Sequence, residues 1–203
     1  MTLSATSVPQ TLEGGSDREL VLRARRGEAE ALGELAQRHR RSVYLLALQL
    51  LGNPDDAMDA TQDTLLRFLR TLRRFDASRP VRPWLYTILR NRVRDLHRRR
   101  RVRKHDPIDG DEDHWRPELV DPVADPHDDV TRHELRERVW RALAELAPSH
   151  REIVVLRDYQ DLSYAEIARV LDIPQGTVMS RLHRARKQLA ILLAPATAGK
   201  EEA

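Results

Sequence analysis

Residues 173–189 read IPQGTVMSRLHRARKQL, and their spacing predicts an amphipathic helix that begins near Pro174 and Gly176. Its apolar residues recur at steps of four, three and four, which places them on one stripe of a helix with about 3.6 residues per turn. The other faces are polar and cationic. That cationic surface is either a solvated helix face or a surface that binds an anion, and the rest of the chain has to distinguish the two. The apolar stripe comprises Val178, Leu182, Ala185 and Leu189.

The composition of the 203-residue chain favours helices. Aromatic residues make up 4% of the chain, charged residues make up 33%, and there are 8 glycines. Leu, Arg and Ala are the commonest residues, and all three are good helix formers. A chain of this length can form one domain or two small ones. We therefore expect an all-α fold.

The sequence argues against a disulfide framework, a metal site and a membrane span. It contains no cysteine, and its 8 histidines are scattered without an HExxH pair. The longest apolar run, residues 43–51, is too short to cross a bilayer. The first residues lack the basic start and apolar core of a signal peptide, and no catalytic motif is visible. We expect a cytoplasmic protein that is not an enzyme and needs no metal or cofactor.

The net charge of +3 conceals two oppositely charged blocks. Residues 90–104 contain nine basic residues and one acidic residue, whereas residues 106–129 contain ten acidic residues and one basic residue. A basic block is typical of a polyanion-binding surface. An acidic block with four prolines and no helical period is typical of a flexible connector. The predicted order is a disordered N-terminus (1–15), a first domain (16–105), an acidic flexible linker (106–129), a second domain (130–193) and a tail (194–203).

The first domain is predicted to contain four helices. The first begins with Ser16 and Glu19, which have the spacing of a capping box. The second spans about 28–51, the third begins near Pro54, and the fourth spans about 82–104. The apolar residues expected to face the core from the third and fourth helices are Leu65, Leu66, Phe68, Leu69, Leu72, Leu85, Leu89, Val93 and Leu96.

The second domain is predicted to end in a helix-turn-helix. A helix over about 134–146 is followed by a second helix, for which Ser149 and Glu152 have capping-box spacing. Ser163 and Glu166 then open a third helix, and a short turn leads into the cationic helix quoted above. Two short helices joined by a tight turn, with facing apolar stripes, form a helix-turn-helix, whose second helix enters the DNA major groove. The cationic face is therefore interpreted as a DNA-binding face.

Three segments of the chain resemble segments of bacterial RNA polymerase sigma factors of the sigma-70 family, in the compact extracytoplasmic-function group. Residues 162–186, LSYAEIARVLDIPQGTVMSRLHRAR, are similar to the promoter-reading domain four of that group. Residues 56–69, DAMDATQDTLLRFL, resemble the domain-two helix that binds the polymerase clamp. Residues 82–101, RPWLYTILRNRVRDLHRRRR, resemble the helix that engages the minus-ten element. The resemblance extends over about 17–193 and implies two small helical domains, sigma domains two and four.

The resemblance implies a polymerase-binding surface on the third helix. In family members the matching acidic helix docks on a basic coiled coil of the largest polymerase subunit. Positions 56, 59 and 63 fall on one helix face, so their carboxylates are aligned for arginine partners. A cluster that only stabilises the positive end of the helix dipole is the alternative. The residues implied are Asp56, Asp59, Gln62 and Asp63.

The resemblance also implies a site for the single-stranded minus-ten element. Family members hold a flipped base between the loop before the fourth helix, here 76–80, and an asparagine on that helix. An Asn side chain offers both a donor and an acceptor to a base edge, and the basic residues that follow can contact phosphates. Trp84 could stack on a base, although a tryptophan beside Leu85 and Ile88 is more often part of a core. The residues implied are Asp76, Ser78, Arg79, Asn91, Arg92 and Arg94.

For the duplex minus-thirty-five element, the resemblance places the reading residues on the cationic helix. Arginine can bind guanine through two hydrogen bonds, and Arg184 is the expected contact. Met179 stands where many relatives carry lysine or arginine, so the phosphate contact there is expected to be weaker or altered. The groove-facing residues implied are Thr177, Ser180, His183 and Arg184, and the phosphate-facing residues are Arg181 and Lys187.

Taken together, the resemblance implies an initiation subunit that binds core RNA polymerase and promoter DNA and is held inactive by an anti-sigma factor. The acidic linker is either a displaceable mimic of nucleic acid in the polymerase channel or a solvated tether. A stand-alone helix-turn-helix transcriptional regulator is the alternative function. It would explain residues 162–189 equally well, but not the acidic patch at 56–63 or the basic helix around Asn91. A regulator would bind duplex DNA by itself, whereas a sigma factor needs core polymerase.

Overall fold

The computed structural model describes residues 15–103 and 130–194 and confirms the predicted all-α fold, with no strand in these two ranges. A 3-10 turn, Leu72–Arg74, follows the third helix, and a π-helical turn, Val155–Tyr159, follows the sixth. Apart from Gly15 and Ala194, the predicted N-terminal segment, linker and tail lie outside the described residues. The helices are α1 (Asp17–Arg25), α2 (Ala29–Leu51), α3 (Pro54–Thr71), α4 (Val81–Arg103), α5 (Val130–Glu145), α6 (Pro148–Val154), α7 (Tyr164–Leu171) and α8 (Gln175–Leu193).

Helices α1 to α4 form the first module, and their ends follow the predicted signals. Glu19 N–H donates to Ser16 Oγ (3.3 Å) and Ser16 N–H donates to Glu19 Oε2 (2.7 Å), so the predicted capping box at α1 is confirmed. Gly52, with a φ of 70°, ends α2 in the left-handed conformation that glycine adopts without a steric penalty. Asn53 then caps α3 by accepting from Asp56 N–H (3.0 Å).

The predicted core face of α3 was wrong at Leu66, which is 51% exposed. Leu66 lies two positions before Phe68, which is fully buried. Two residues correspond to about 200° of rotation around a helix, so these two side chains cannot face the same core. The other predicted core residues are buried or packed partly buried against the core: Leu65, Phe68, Leu69, Leu72, Leu85, Leu89, Val93 and Leu96.

Helices α5 to α8 form the second module, in which the predicted capping box of Ser149 and Glu152 was wrong. Helix α6 begins at Pro148, and its N-cap is Ala147, two residues before the predicted cap, with no side-chain cap. A proline fits this first helical position because its missing N–H would have had no partner there. Glu152 is therefore available for another contact, and its Oε1 lies 2.8 Å from Nε of Arg90 on α4.

The two modules contact each other along α4. The predicted inner stripe of α4 faces the first module, whereas a second stripe, spaced four residues apart, faces the π-helical turn, α6 and α7. This contact between the modules was not predicted from the sequence. We call it the seam, and it joins Arg82, Tyr86 and Arg90 of the first module to Glu152 and Gln160 of the second.

Candidate DNA and polymerase interfaces

The turn between α7 and α8 has the geometry of a helix-turn-helix. The predicted capping box at α7 is confirmed, because Glu166 N–H donates to Ser163 Oγ (3.3 Å) and Ser163 N–H donates to Glu166 Oε2 (2.8 Å). Asp172 ends α7 in the left-handed conformation (φ 53°), which turns the chain sharply towards α8. The apolar stripe of α8 is buried at Val178, Leu182 and Ala185, and this stripe fixes α8 on the module.

The residues predicted to read the minus-thirty-five element lie on the outer side of α8, with Thr177 half-buried at its start. Met179 is 55% exposed, so a neutral thioether occupies this part of the surface. Arg181 is half-buried and lies near Glu152. Burial raises the pKa of the Glu152 carboxyl, and the positive charge of Arg181 acts in the opposite direction. The predicted phosphate contact of Arg181 is thus next to the seam. The exposed members of the predicted set are Ser180, His183, Arg184 and Lys187.

The loop predicted to hold the minus-ten base is organised by Asp76. Its Oδ1 accepts hydrogen bonds from the N–H (3.0 Å) and the hydroxyl (2.7 Å) of Ser78. Its Oδ2 lies 3.3 Å from the side-chain Nε of Arg79. The backbone N–H of Arg79 also donates to the backbone carbonyl of Asp76 (3.0 Å). All three residues are exposed, so the loop presents a preformed turn to solvent directly before α4.

We expect the carboxyl of Asp76 to titrate below its ordinary pKa of 3.8, chiefly because the Ser78 hydroxyl donates to the charged form. Since the folded-state pKa is lowered, this stabilisation is present above pH 3.8 and is lost as the pH falls through the folded-state value. A carbon-13 NMR titration measures the pKa. Ser78→Ala should raise it towards 3.8, and Arg79→Ala should raise it less, because the Ser78 hydrogen bond is the larger cause. An unchanged pKa in Ser78→Ala would contradict this account.

The α4 residues predicted for the minus-ten strand occupy two different environments. Asn91 and Arg94 are exposed. The side chain of Arg92 is only 16% exposed, and its Nε lies 2.8 Å from Oδ2 of Asp63 on α3. The structure therefore brings together a residue predicted to bind DNA and a residue predicted to bind polymerase. This ion pair connects α3 to α4 and fixes the helix position next to Asn91.

The residues predicted to bind the polymerase clamp, three aspartates and one glutamine, lie on the outer face of α3. Asp59 and Gln62 are exposed, whereas Asp56 and Asp63 are half-buried. The opposite face of this helix is buried in the first module, through Ala57, Ala60, Thr61, Thr64 and Phe68. Asp59 is therefore the most accessible carboxylate of the predicted patch, since Asp63 is partly engaged by Arg92.

Trp84 belongs to an aromatic cluster under the minus-ten loop. Its ring stacks on Phe75 (centroids 4.6 Å apart, planes at 24°) and meets Phe68 edge-on (5.2 Å, 62°). Phe75 immediately precedes the loop, and Trp84 is in the first turn of α4. The cluster therefore anchors both ends of the loop on the core, which favours the packing role for Trp84 over base stacking.

One ion pair near α8 had no signal in the sequence. Arg186 Nε donates to Asp158 Oδ2 (3.1 Å), and Arg186 Nη2 also bonds to the other carboxylate oxygen of Asp158. Asp158 lies in the π-helical turn and is 28 positions away from Arg186 in the chain. This bidentate pair fixes the middle of α8 against the rest of the second module. In the sequence, Arg186 stands out only as the last residue of the segment 162–186 that resembles domain four.

Neither a metal site nor a membrane span is found among residues 15–103 and 130–194. No group of three or more potential metal ligands is clustered there. No helix in this part of the chain combines the length and apolar character that a bilayer crossing requires.

A helix-turn-helix with an exposed cationic second helix is joined here to a helical module with an acidic face and a basic helix. These features define a DNA-binding protein of the helix-turn-helix class. Family models match both modules: "Sigma-70 region 2" matches residues 35–103, and "Sigma-70, region 4" matches residues 136–189.

Relatives of this chain carry the same family name. RNA polymerase sigma factor NccH of Alcaligenes xylosoxydans xylosoxydans is 35% identical over 177 residues, which cover 87% of this chain and 94% of NccH. ECF RNA polymerase sigma factor SigW of Bacillus subtilis is 30% identical, with 83% and 92% covered. SigE of Mycolicibacterium smegmatis is 37% identical, but the match covers 79% of this chain and only 61% of SigE.

Two solved structures share the fold and are related in sequence. CnrH in complex with the cytosolic domain of CnrY superimposes with a TM-score of 0.64 at 30% identity, covering 87% of this chain and 96% of CnrH. RpoE in complex with the anti-sigma factor NepR, from Bartonella quintana, gives a TM-score of 0.63 at 26% identity, covering 77% and 92%. The chain therefore belongs to the sigma-70 family of RNA polymerase sigma factors, in its extracytoplasmic-function (ECF) group, and the resemblance inferred from the sequence is confirmed.

Proposed function

We propose that the chain is a dissociable initiation subunit that binds core RNA polymerase, recognises promoter DNA and promotes strand opening. The observation that carries this proposal is the presence, on one chain, of a helix-turn-helix and of an exposed Asn91 on a basic helix next to a preformed loop. A stand-alone regulator would need only α7 and α8 for DNA binding. This function places the protein in the cytoplasm with polymerase, as a binding subunit rather than an enzyme.

The first domain, proposed as 16–105, supplies the polymerase and minus-ten contacts. The outer face of α3 offers Asp59 to a basic surface of polymerase, and charge complementarity of this kind sets the association rate and register of a complex. On the neighbouring helix, Asn91 offers a donor and an acceptor to an unpaired base. Phosphate contacts from Arg94 and the following basic residues offset the few kcal/mol that base extrusion costs.

The second domain, proposed as 130–193, supplies the minus-thirty-five contacts. Its exposed α8 residues enter the major groove, with Arg184 as the bidentate donor to a guanine. Lys187 contacts a phosphate and positions the helix without reading the sequence. Binding of the duplex element by α8 and of the separated strand by α4 then stabilises the opened promoter relative to the closed one.

Binding of the purified chain to sigma-free core polymerase tests the proposal. Asp59→Arg is expected to weaken this binding about tenfold, because it places a cation against the basic surface that Asp59 is proposed to face. Fluorescence anisotropy of the labelled chain measures the affinity. Asp59→Arg is a sharper probe than a change at Asp63, which would also break the ion pair with Arg92.

Glu30→Arg is the matched control for this experiment. Glu30 is an exposed carboxylate in the first turn of α2, in the same module and outside the acidic patch. The Glu30→Arg variant should bind core polymerase with the affinity of the parent chain. If the parent does not bind core polymerase but still binds duplex DNA with a steep salt dependence, the stand-alone regulator replaces the sigma factor as the function.

We also propose an anti-sigma factor as a partner of this chain. CnrH and RpoE, which share its fold, are described in complex with CnrY and with the anti-sigma factor NepR. The corresponding experiment is affinity purification of the chain from its native cells under several growth conditions. A partner that competes with core polymerase is expected, and the absence of one under all conditions would remove this part of the proposal.

A further inference from the structure

We infer that Met179 is a specificity-determining residue of the minus-thirty-five face, which reads a thymine through its C5-methyl group. The inference rests on the proposed function, because it names a base that the same helix reads beside the guanine assigned to Arg184. It is carried by the exposure of Met179, by the open surface next to it, and by the chemistry of the major groove.

Met179 is a large apolar residue that is exposed near the start of α8. It is 55% exposed, whereas Val178, directly before it, is fully buried and anchors this part of the helix on the module. One residue corresponds to about 100° of rotation, so Met179 lies away from the buried stripe, at one edge of the polar face. His183, which is predicted to face the groove, lies four residues later on the same edge. Met179 thus belongs to the surface that α8 presents to DNA.

The surface on the N-terminal side of Met179 is open. A helical side chain leans towards the preceding turn, which here contains Gly176, three residues earlier. A Cβ atom added at Gly176 would meet no heavy atom within 4 Å outside its own stretch of helix. The thioether of Met179 therefore has room to extend over Gly176. The N-terminal residues of a recognition helix are those that contact base edges, so this is the direction in which a base would lie.

A thioether matches one group of the major groove. The groups that distinguish the four base pairs there are hydrogen-bond donors and acceptors, except for the apolar C5-methyl group of thymine. Met179 has no N–H or O–H to donate, and its sulfur is only a weak acceptor. Its unbranched side chain has three rotatable bonds and adapts to the shape of an apolar partner. The chemistry of Met179 therefore favours thymine over the other bases.

A cation at this position would contribute differently to DNA binding. A lysine or arginine would contact a phosphate, which positions the helix but carries no sequence information. The neutral thioether of Met179 lacks that electrostatic attraction, and burial of a thymine methyl group against it adds a sequence preference instead. Arg184 and Met179 then read opposite kinds of group, the acceptors of a guanine and the methyl group of a thymine.

A second exposed apolar residue on α8 provides the matched control. Ile191 is 67% exposed and lies near the C-terminal end of the helix, roughly three turns beyond Met179. Base contacts come from the N-terminal part of a recognition helix, so Ile191 should not read a base. Ile191→Ala therefore removes exposed apolar surface from the same helix without changing the reading face.

Replacement of thymine by deoxyuridine tests the inference, because it removes the C5-methyl group and keeps every hydrogen-bonding group of the base. The preferred minus-thirty-five duplex is first selected from a random library by holoenzyme that contains the full chain. Each thymine of either strand is then replaced in turn, and the affinity of the holoenzyme is measured at fixed salt. The parent chain is compared with Met179→Ala, Met179→Leu and Ile191→Ala, and a salt series is added for Met179→Lys.

The parent holoenzyme is expected to bind about fourfold more weakly when one particular thymine loses its methyl group, since one methyl-sized contact is lost. Met179→Ala should lose most of this methyl effect, because it lacks the thioether that reaches the base. Met179→Leu, which keeps an apolar side chain, and Ile191→Ala should show the same effect as the parent. Met179→Lys should abolish the methyl effect and increase the salt dependence by about one counterion.

A parent holoenzyme that tolerates deoxyuridine at every thymine would overturn the inference, as would a preferred element without an A·T pair. Equal methyl effects in the parent and in Met179→Ala would also overturn it, because another residue would then contact the methyl group. If neither the parent nor the variants bind core polymerase, the proposed function fails. The same duplexes are then measured with the free chain, in which the thymine effect still decides the role of Met179.

Discussion

Phe68→Ala is expected to lower the free energy of unfolding by about 3–5 kcal/mol, because it leaves a large cavity in the core of the first module. Phe68 is fully buried, and its ring contacts Trp84 edge-on and lies 6.4 Å from the ring of Phe75. These two partners flank the proposed minus-ten loop. The loss of Phe68 should therefore also loosen the loop that begins at Asp76. Urea denaturation, followed by circular dichroism, measures the stability.

Leu66→Ala is the matched control for this substitution. Leu66 lies on the same helix but is 51% exposed, so its truncation removes little buried surface. Its expected effect is within about 0.5 kcal/mol. Comparable losses for Phe68→Ala and Leu66→Ala would mean that the core of the first module is not packed around Phe68.

Arg184→Ala is expected to weaken binding to the preferred minus-thirty-five duplex by about 1–3 kcal/mol, or roughly 5- to 150-fold. The reason is the loss of a bidentate contact to guanine, for which Arg184 is placed on the exposed side of α8. The loss should be confined to duplexes that carry the guanine. Duplexes substituted at that base pair should bind the parent and the variant alike. The measurement uses reconstituted holoenzyme and a panel of single-base-pair substitutions at fixed salt.

Lys187→Ala separates sequence reading from phosphate binding on the same helix. Lys187 is exposed, and removal of a phosphate contact should weaken all duplexes uniformly and reduce the salt dependence by about one counterion. If Arg184→Ala instead behaves in this uniform way, Arg184 is a phosphate contact and another residue of α8 reads the base.

Local rules predicted most of the fold because the helix ends depend on short-range contacts. Ser16 with Glu19, and Ser163 with Glu166, are bonded to each other as their spacing predicts. The apolar stripe of α8 is buried for the same reason, since a period of 3.6 residues determines which side faces the core. These patterns need no knowledge of the rest of the chain.

The same local reasoning failed where a distant residue competes for a side chain. Glu152 has the spacing of a capping partner but pairs with Arg90, 62 positions earlier in the chain. Arg92, which the resemblance assigns to DNA, also pairs with Asp63 on the neighbouring helix, and this contact was not predicted. Spacing along one helix cannot predict these contacts, because they depend on how the modules and helices pack. The seam was missed for this reason.

Because of the π-helical turn, the segment between α6 and α7 tolerates a change in its amino-acid composition better than a change in its length. Gln160 N–H donates to the carbonyl of Val155 (3.0 Å), across five residues where an α-helix would span four. Deletion of one residue would convert this turn to an α-helix and rotate the chain beyond it by about 100°. Gln160 would then leave α4. Substitutions at the surface of this turn are therefore tolerated more readily than insertions or deletions, because a change of length also displaces Val155 and Leu156, which the turn buries in the core.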